Sequence, residues 1–330
     1  MRPKLLFLLV TAGALLTSIL AGTAPADNGG FVPVDPASPN AGGIRTSFVF
    51  ISIFVIGIFV LVEGLLVAFL IRYRRRKRPR FEAGAPIHGS SKLELMWTAF
   101  PVVILFTIAV FVFVELPGIS NVPAASAGGE LRVRVVGRQF YWQFVYPNGV
   151  IAIDRLRAPE GVPVRLEVTA PDDDVIHSWW IPALGGKLDA IPGRKNHTWF
   201  KAERNGVFTG QCAELCGVEH AKMLASVEVM PRTDFDAWLT QQLRDQAQGT
   251  SDLGKQEWLG VCAKCHGMNG EGGYAPKIGG SAALQDPKTV EKLVREGRRA
   301  MPAVGSGWTS AQVAALTAYL QASPPSGAEG

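Results

Sequence analysis

One loop of the sequence, residues 210–223, concentrates side chains that bind soft metal ions. It reads GQCAELCGVEHAKM and holds four candidate ligands, Cys212, Cys216, His220 and Met223. A mononuclear blue-copper site uses two histidines, one cysteine and a weak methionine, so the loop has one thiolate too many and one histidine too few. The second thiolate is explained if both sulfurs bridge two metal ions, each of which then needs its own imidazole.

Two histidines are candidates for the missing imidazole. His177 follows a run of aspartates and precedes a loop rich in proline and glycine, whereas His197 lies in the strand-like segment NHTWF, as ordinary surface histidines do. The competing use of the two cysteines is a disulfide, whose Cα spacing a tight loop can satisfy. A disulfide would leave His220 and Met223 without a function.

A second motif, CAKCH, is the C-x-x-C-H signature of covalent c-type haem attachment. It offers the thiols of Cys262 and Cys265 to the haem, and the imidazole of His266 to one axial position. The alternatives are a redox dithiol, which requires a βαβ context, and half of a zinc site, which requires a second ligand pair. Met268 is too near to reach the opposite face of the ring. Met301 follows a predicted helix and can reach it, giving the His/Met ligation that raises cytochrome c potentials; its alternative is a place in the core.

The elements that must position these motifs are indicated by hydrophobic and turn patterns. From Glu130 to about Met230, short alternating segments are separated by turn residues, which predicts a β-sandwich or barrel. From Leu253 to Leu320 the pattern is helical, with glycine-rich loops between the helices. The polar stretch Gln246–Asp252 reads as a linker. We therefore expect the metal loop on a β domain and the haem motif on a separate α domain.

Two apolar segments precede these domains. Ser47–Ile71 and Leu95–Leu116 are each long enough to cross a bilayer as helices. The arginine-rich stretch RYRRRKRPR between them is expected in the cytoplasm, which places the chain from about Asn121 onward on the outer side. Residues 1–26 have the pattern of a secretory signal peptide, with a third membrane anchor as the alternative.

The charge distribution restricts the partners. The whole chain has a formal net charge of +5, whereas residues 121–330 contain 22 Lys and Arg against 22 Asp and Glu. A neutral exported part argues against a nucleic acid or another polyanion as partner. All four cysteines lie in this part, in a compartment where disulfides are allowed, so their spacing rather than their location decides their use.

The two-helix hairpin, followed by VIHSWW, GGKLDAIPGR and GQCAELCGVEHAKM, resembles subunit II of haem-copper cytochrome c oxidases. The resemblance covers residues 45–245 almost continuously, and residues 250–330 are similar to class I cytochromes c. It implies a transmembrane helical hairpin (45–118), an all-β cupredoxin-like domain (121–245) and an all-α cytochrome c domain (250–330).

The resemblance also implies a binuclear copper centre, CuA, in the cupredoxin-like domain. In the family pattern, Cys212 and Cys216 would be the bridging thiolates, and His177 and His220 would be the terminal imidazoles. Met223 would be a weak thioether ligand, and Glu214 would contribute its backbone carbonyl. The carboxylate of Glu214 matches the family position that reaches a magnesium ion at the boundary with subunit I. In the cytochrome c domain, the carbonyl of Pro276 matches the one that bonds the axial histidine.

Three further positions match the family with open alternatives. Glu94, at the start of the second span, aligns with a carboxylate near the entrance of a proton path, and the alternative is a solvated interfacial glutamate. Phe140 and Trp142 match the aromatic strand through which electrons enter CuA, and the alternative is an ordinary aromatic strand. The family usually has tryptophan at the position of Phe140, which puts direct docking of a soluble cytochrome c on this face in doubt.

The function implied by the resemblance is electron entry into a terminal oxidase. Electrons would pass from haem c to CuA and on to subunit I, where oxygen is reduced to water with proton translocation. The implied partners are subunits I and III and a cytochrome c or quinol–cytochrome c reductase as donor, in the inner membrane of a bacterium. Two other functions fit parts of the sequence: an electron donor of another respiratory reductase, and a membrane-anchored copper-delivery protein. Met223, the hairpin and the haem motif argue against copper delivery.

Overall fold

The computed structural model describes residues 33–74, 86, 88–124, 129–249 and 251–328, which divide into two compact units. The predicted signal peptide and most of the arginine-rich stretch lie outside the described residues. One unit contains the two apolar helices, and the other contains the rest of the chain from Ser120 onward together with Asp35–Ala41.

The helical unit consists of α1 (Pro39–Arg72) and α2 (Ser91–Ser120). Both helices are long and apolar enough to cross a membrane. They begin before the predicted spans, because the apolar pattern marks only the lipid-facing stretch while the backbone hydrogen bonds continue beyond it. Within the unit, the ring of Phe50 stacks on Phe111 with centroids 3.9 Å apart, so the two helices form a hairpin, as predicted.

The β domain is a sandwich of short strands. Within the described residues they are β1 (Leu131–Arg138), β2 (Tyr141–Val145), β3 (Ile151–Ile153), β4 (Arg155–Pro159), β5 (Val164–Thr169), β6 (His177–Trp179), β7 (Leu188–Ala190), β8 (Asn196–Phe200), β9 (Gly206–Gln211) and β10 (Leu224–Met230). The strand orders are β3-β2-β1-β5-β8, β4-β10-β9 and β6-β7. β1 runs parallel to β5 and β10 parallel to β4, while the other pairs are antiparallel.

The core of the β domain lies between the two larger sheets. In β1, Val133 and Val135 are buried while Arg132 and Arg134 are exposed, which is the alternation of a strand with one face on the core. The predicted all-β fold is therefore confirmed.

The C-terminal domain is helical, as predicted. It follows α3 (Arg232–Ala247) and contains α4 (Ser251–Glu257), a π-helical turn (Trp258–Cys262), α5 (Ala263–His266), α6 (Pro287–Glu296) and α7 (Ser310–Ala322). α4 crosses α7 at Gly254, where an added Cβ would lie 2.0 Å from the carbonyl oxygen of Ala315. Glycine at this position allows the two helices to approach closely enough to build the core of the domain.

The connection between the β domain and the C-terminal domain differs from the predicted linker. α3 continues to Ala247, and the amide of Gln246 hydrogen-bonds both the N–H and the C=O of Ile151 at 2.9 and 2.6 Å. Ile151, Ile153 and Tyr141 also share one apolar core with the C-terminal helices. The C-terminal domain is thus packed on strands β2 and β3 of the β domain.

Candidate metal centre

The metal loop connects β9 to β10. Its neck is closed by a hydrogen bond of 2.9 Å from the N–H of Cys212 to the carbonyl of Met223. His177 begins β6, and the N–H of Ala213 donates to the carbonyl of Ser178 at 2.9 Å. The loop is therefore fastened to the strand that supplies the more distant imidazole.

Five predicted ligands meet at this loop. The sulfur of Cys216 lies 4.0 Å from that of Cys212, 3.4 Å from Nδ1 of His220 and 3.7 Å from Sδ of Met223. The sulfur of Cys212 lies 4.0 Å from Nδ1 of His177. Both cysteines are free. Their sulfurs are 4.0 Å apart, whereas a disulfide bond is about 2.05 Å long.

The donor set fits a pair of soft metal ions. His177, Cys212 and Cys216 are buried and have their ligand atoms within 4.8 Å of one another. Two sulfurs 4.0 Å apart can both contact one ion, since a metal–thiolate bond is about 2.3 Å long. Each sulfur also has its own imidazole nitrogen beside it, so the arrangement offers equivalent donors to two ions rather than a complete set to one.

Asp174 orients the imidazole of His177. Its carboxylate lies 3.1 Å from Nε2 of His177, which turns Nδ1 towards the sulfur of Cys212. Burial disfavours the charged imidazolium, but the hydrogen bonds to Asp174 and Cys212 outweigh it and raise the pKa of His177. A carboxylate behind a ligating histidine fixes its tautomer and raises its basicity. The sequence analysis missed Asp174, although an acid three residues before the histidine was the available signal.

The two thiols differ in acidity. A hydrogen bond from Cys216 lowers the pKa of the Cys212 thiol, and the same contact raises the pKa of Cys216. The carbonyl of Glu214 accepts from the Cys212 sulfur at 3.2 Å, so this backbone oxygen also lies beside the cluster. Because the two thiols share one contact, ionisation of one disfavours ionisation of the other.

The carboxylate of Glu214 does not support the magnesium prediction. Its side chain is 47% exposed and lies 3.8 Å from the ammonium of Lys187. Among the described residues, the His177, Cys212 and Cys216 group is the candidate metal cluster. His197 is exposed on β8 and outside the cluster, and Glu94 is exposed near the start of α2 in the other unit.

The two predicted electron-entry aromatics lie against the metal loop. Trp142 is in β2, with its ring centroid 6.1 Å from that of His177. Phe140 lies in the turn before β2, where its ring packs on Gly217 so closely that a Cβ there would be 2.9 Å from Cε1. Gln139, which the sequence analysis did not select, donates from Nε2 to the carbonyl of Cys216 at 2.6 Å.

The haem motif lies on one helical turn. Cys262 and Cys265 are free, and Nδ1 of His266 lies 2.7 Å from the carbonyl oxygen of Pro276. This is the contact that the resemblance to class I cytochromes c implies. Met301 is in the loop between α6 and α7, half-buried and bridged to Arg298. Two thiols one turn apart beside an oriented imidazole fit covalent attachment of haem.

Comparison with known families assigns three parts of the chain. The model for the cytochrome c oxidase subunit II transmembrane domain matches residues 26–114, and that for its periplasmic domain matches residues 149–230. A model described as cytochrome c oxidase, cbb3-type, subunit III matches residues 249–320. The matches follow the order hairpin, β domain and C-terminal domain.

Individual relatives extend over most of the chain. Cytochrome c oxidase subunit 2 of Alkalihalophilus pseudofirmus is 33% identical and covers 78% of this chain and 76% of its own length. A probable cytochrome c oxidase subunit 2 of Rickettsia bellii is 35% identical and covers 67% of this chain and 86% of its own. The crystal structure of the periplasmic domain of subunit II from Bradyrhizobium japonicum is 35% identical, covers 38% of this chain and 98% of its own, and gives a TM-score of 0.35.

Proposed function

Because the chain belongs to the cytochrome c oxidase subunit II family, we propose that it is the electron-entry subunit of a terminal haem-copper oxidase. In this proposal the C-terminal domain receives electrons, and the β domain passes them to subunit I. The observation that carries the proposal is the cluster of two free thiols, two imidazoles and a thioether, four of which lie on a loop that is hydrogen-bonded to the haem motif.

The chain would hold two redox groups. Cys212, Cys216, His177, His220 and Met223, with the carbonyl of Glu214, would bind the copper pair. The haem would be held by Cys262, Cys265 and His266 of the CAKCH motif and by Met301 of a distant loop. When bound, these groups supply one-electron chemistry at potentials set by their ligands and surroundings.

The surrounding residues would keep the copper ligands in place during turnover. Met223 is fully buried, Cys212 and Cys216 are each 3% exposed, and Asp174 fixes the ring of His177. A rigid, water-poor ligand set changes little when its charge changes, which favours rapid electron transfer over ligand exchange. The buried cluster is therefore suited to transfer of electrons and unsuited to release of copper.

Burial of the two predicted electron-entry aromatics supports electron entry through the C-terminal domain. Trp142 is fully buried and Phe140 is 9% exposed, so the aromatic pair is covered within this chain. An external electron donor would meet the C-terminal domain, and not the aromatic pair. The donor would then be a cytochrome c or a quinol–cytochrome c reductase that recognises the C-terminal domain.

An apolar surface beside the metal loop fits a partner subunit. Leu215 and Val218 of the loop are 79% and 64% exposed, and Val175 and Ile176 before β6 are also exposed. Apolar side chains gathered around a functional loop mark an interaction surface. Subunit I would cover this surface and accept the electrons, while oxygen reduction and proton translocation take place in the partner.

Purification of the complex from membranes tests the proposal. We expect an integral haem-copper subunit to co-purify with this chain, together with two coppers per chain, a near-infrared band and covalently attached haem c. One copper per chain without a haem-copper partner would indicate a copper-delivery protein. Co-purification with a different reductase would contradict the oxidase assignment and keep the electron-transfer function.

A further inference from the structure

The haem motif makes an ionic contact with the β domain. Lys264, which stands between Cys262 and Cys265, donates from Nζ to the carbonyl of Phe140 at 2.9 Å and forms an ion pair with Asp154. The side chains of Lys264 and Asp154 are only 13% and 23% exposed. Such a shielded pair constrains geometry more strongly than an exposed surface pair.

Asp154 connects this contact to the copper cluster. One carboxylate oxygen pairs with Lys264, and the other accepts from the backbone N–H of Trp142 at 2.8 Å. The ring of Trp142 in turn lies edge-on to His177. Asp154 has a φ of 56°. Aspartate and asparagine tolerate this backbone conformation better than most residues, so a carboxylate can occupy this position.

The metal loop holds the same helical turn from its other side. Lys222, two residues after His220, donates from Nζ to the carbonyl of Lys264 at 3.0 Å and pairs with Glu219 at 2.8 Å. The backbone and the side chain of Lys264 are therefore held by different segments of the β domain. Together, Lys264, Asp154 and Lys222 are called the lysine clamp below.

Other contacts attach the two domains independently of the clamp. The hydroxyl of Tyr141 donates to the carbonyl of Val304 at 2.7 Å and accepts from Nε1 of Trp308 at 2.8 Å. Gly260 packs on Ile153, where an added Cβ would lie 2.5 Å from Cγ2. These contacts can keep the domains associated when the clamp is broken, so the clamp contributes the orientation of the haem turn rather than attachment of the domain.

We propose that Lys264 is a positioning residue which, through Asp154 and Lys222, fixes the haem-attachment turn against the Phe140–Trp142 segment and the metal loop. This inference rests on the proposed function, since it assigns the clamp to electron transfer between the two domains. In each transfer the C-terminal domain loses one electron and the β domain gains it, and no bond forms or breaks. The clamp acts by holding the donor and the acceptor in one geometry.

Three variants in the full-length chain, assembled in its complex, test the clamp. Lys264→Met keeps the aliphatic stem and removes the charge. Asp154→Asn removes the other charge and tolerates the same backbone conformation; it also lies outside the haem motif, so attachment of haem is not at risk. Lys292→Met, at an exposed position on α6, is the matched control for loss of one lysine from the C-terminal domain.

Two quantities are measured for each variant: the rate of electron transfer from haem c to copper and the rate of backbone hydrogen exchange. Rapid photoreduction of haem c reports the rate of electron transfer to copper, and we expect Lys264→Met and Asp154→Asn each to slow it roughly tenfold or more, because small losses of alignment are costly. Hydrogen–deuterium exchange reports the interface, and we expect faster exchange in the haem-attachment turn Ala263–His266 in both variants, whereas β2 and β3, which the Tyr141 and Ile153 contacts hold, should change little. The haem c and near-infrared copper spectra should stay unchanged, and Lys292→Met should match the unsubstituted chain.

The double variant decides whether the two residues act together. The effects of two substitutions within one interaction are not additive. The double variant, Lys264→Met with Asp154→Asn, should therefore transfer electrons to copper no more slowly than either single variant. Unchanged exchange and an unchanged transfer rate in the single variants would overturn the clamp. Absence of haem-to-copper transfer in the unsubstituted chain would instead contradict the proposed function, while the exchange measurement would still test the clamp as an interface.

Discussion

The metal loop and the haem motif each use two cysteines, a histidine and a methionine, but the protein prepares them differently. In the loop, Cys212, Cys216 and Met223 are buried and within about 4 Å of a neighbouring ligand. In the haem motif, Cys265, His266 and the distant Met301 are half-buried.

The difference follows from the size of the bound group. Metal ions are small, so their ligands must be brought together by the fold, through the loop neck and the strand that carries His177. A haem supplies its own large apolar surface and is attached covalently, so the chain needs to present only one prepared turn and a distant axial ligand. Substitutions should therefore have separable effects at the two sites.

Removal of a thiolate that is proposed to bridge the two coppers should produce the largest effect. Cys216→Ser replaces the sulfur that lies nearest to His220 and Met223 with an oxygen that binds soft ions poorly. We expect loss of the binuclear copper centre with full retention of haem c, because the haem ligands lie in the other domain. Copper analysis and the near-infrared band provide the measurement, and unchanged values of both would contradict the bridging role.

Removal of Met301, the proposed axial ligand, should affect the haem alone. Met301→Ala should leave haem attached through Cys262 and Cys265 but remove the second axial ligand, with loss of six-coordinate low-spin His/Met ligation and a lower potential. The sulfur-to-iron charge-transfer band of the oxidised protein is the readout. Persistence of that band would exclude Met301 as the ligand, and a change in the copper spectrum would contradict the separation of the sites.

The carboxylate behind His177 offers a graded test of the copper site. Asp174→Asn keeps the size of the side chain but removes the charge that orients the imidazole. Loss of such a partner typically lowers metal affinity tenfold to a hundredfold. Competition with a copper chelator measures this affinity. Glu167→Gln, at a carboxylate that pairs with Lys195 and not with a predicted ligand, is the control; equal affinity in both variants would show that Asp174 has no special role.

The shared interface should respond least. Tyr141→Phe leaves the buried indole N–H of Trp308 without the acceptor it has now. An unsatisfied buried donor costs about 1–3 kcal/mol, so we expect a corresponding decrease in the free energy of unfolding, with both cofactor spectra intact. Denaturant titration of the exported part measures it. An unchanged midpoint would show that the Tyr141 contacts do not stabilise the packing of the two domains.

The sequence predicted what local spacing encodes. Ligands at Cys212, Cys216, His220 and Met223 lie in one loop, so their chemistry was visible as a pattern. The alternation around Val133 and the helical periodicity of the C-terminal region likewise predicted the two fold types, which the structure confirms. His177 was predicted by comparison with His197 and by family resemblance, since it is 35 residues from Cys212 in sequence and reaches the loop only through tertiary contacts.

Long-range contacts were beyond the sequence analysis. Lys264 and Asp154 are 110 residues apart, and no periodicity connects them. The polar stretch from Gln246 was predicted to be a linker because its composition is that of a solvated segment. In the fold, the amide of Gln246 instead satisfies the backbone of Ile151, a use that depends on tertiary structure and cannot be read from composition.

Electron entry through the C-terminal domain is tested most directly by removal of the haem attachment. The full-length complex with Cys262→Ala and Cys265→Ala should retain CuA, which a small chemical reductant should still reduce. Oxidation of external ferrocytochrome c should be severely slowed, because Phe140 and Trp142 are buried within this chain and the C-terminal domain holds no haem to relay electrons. Turnover of external cytochrome c near the rate of the unsubstituted complex would contradict this, and would show that the copper domain has its own docking site.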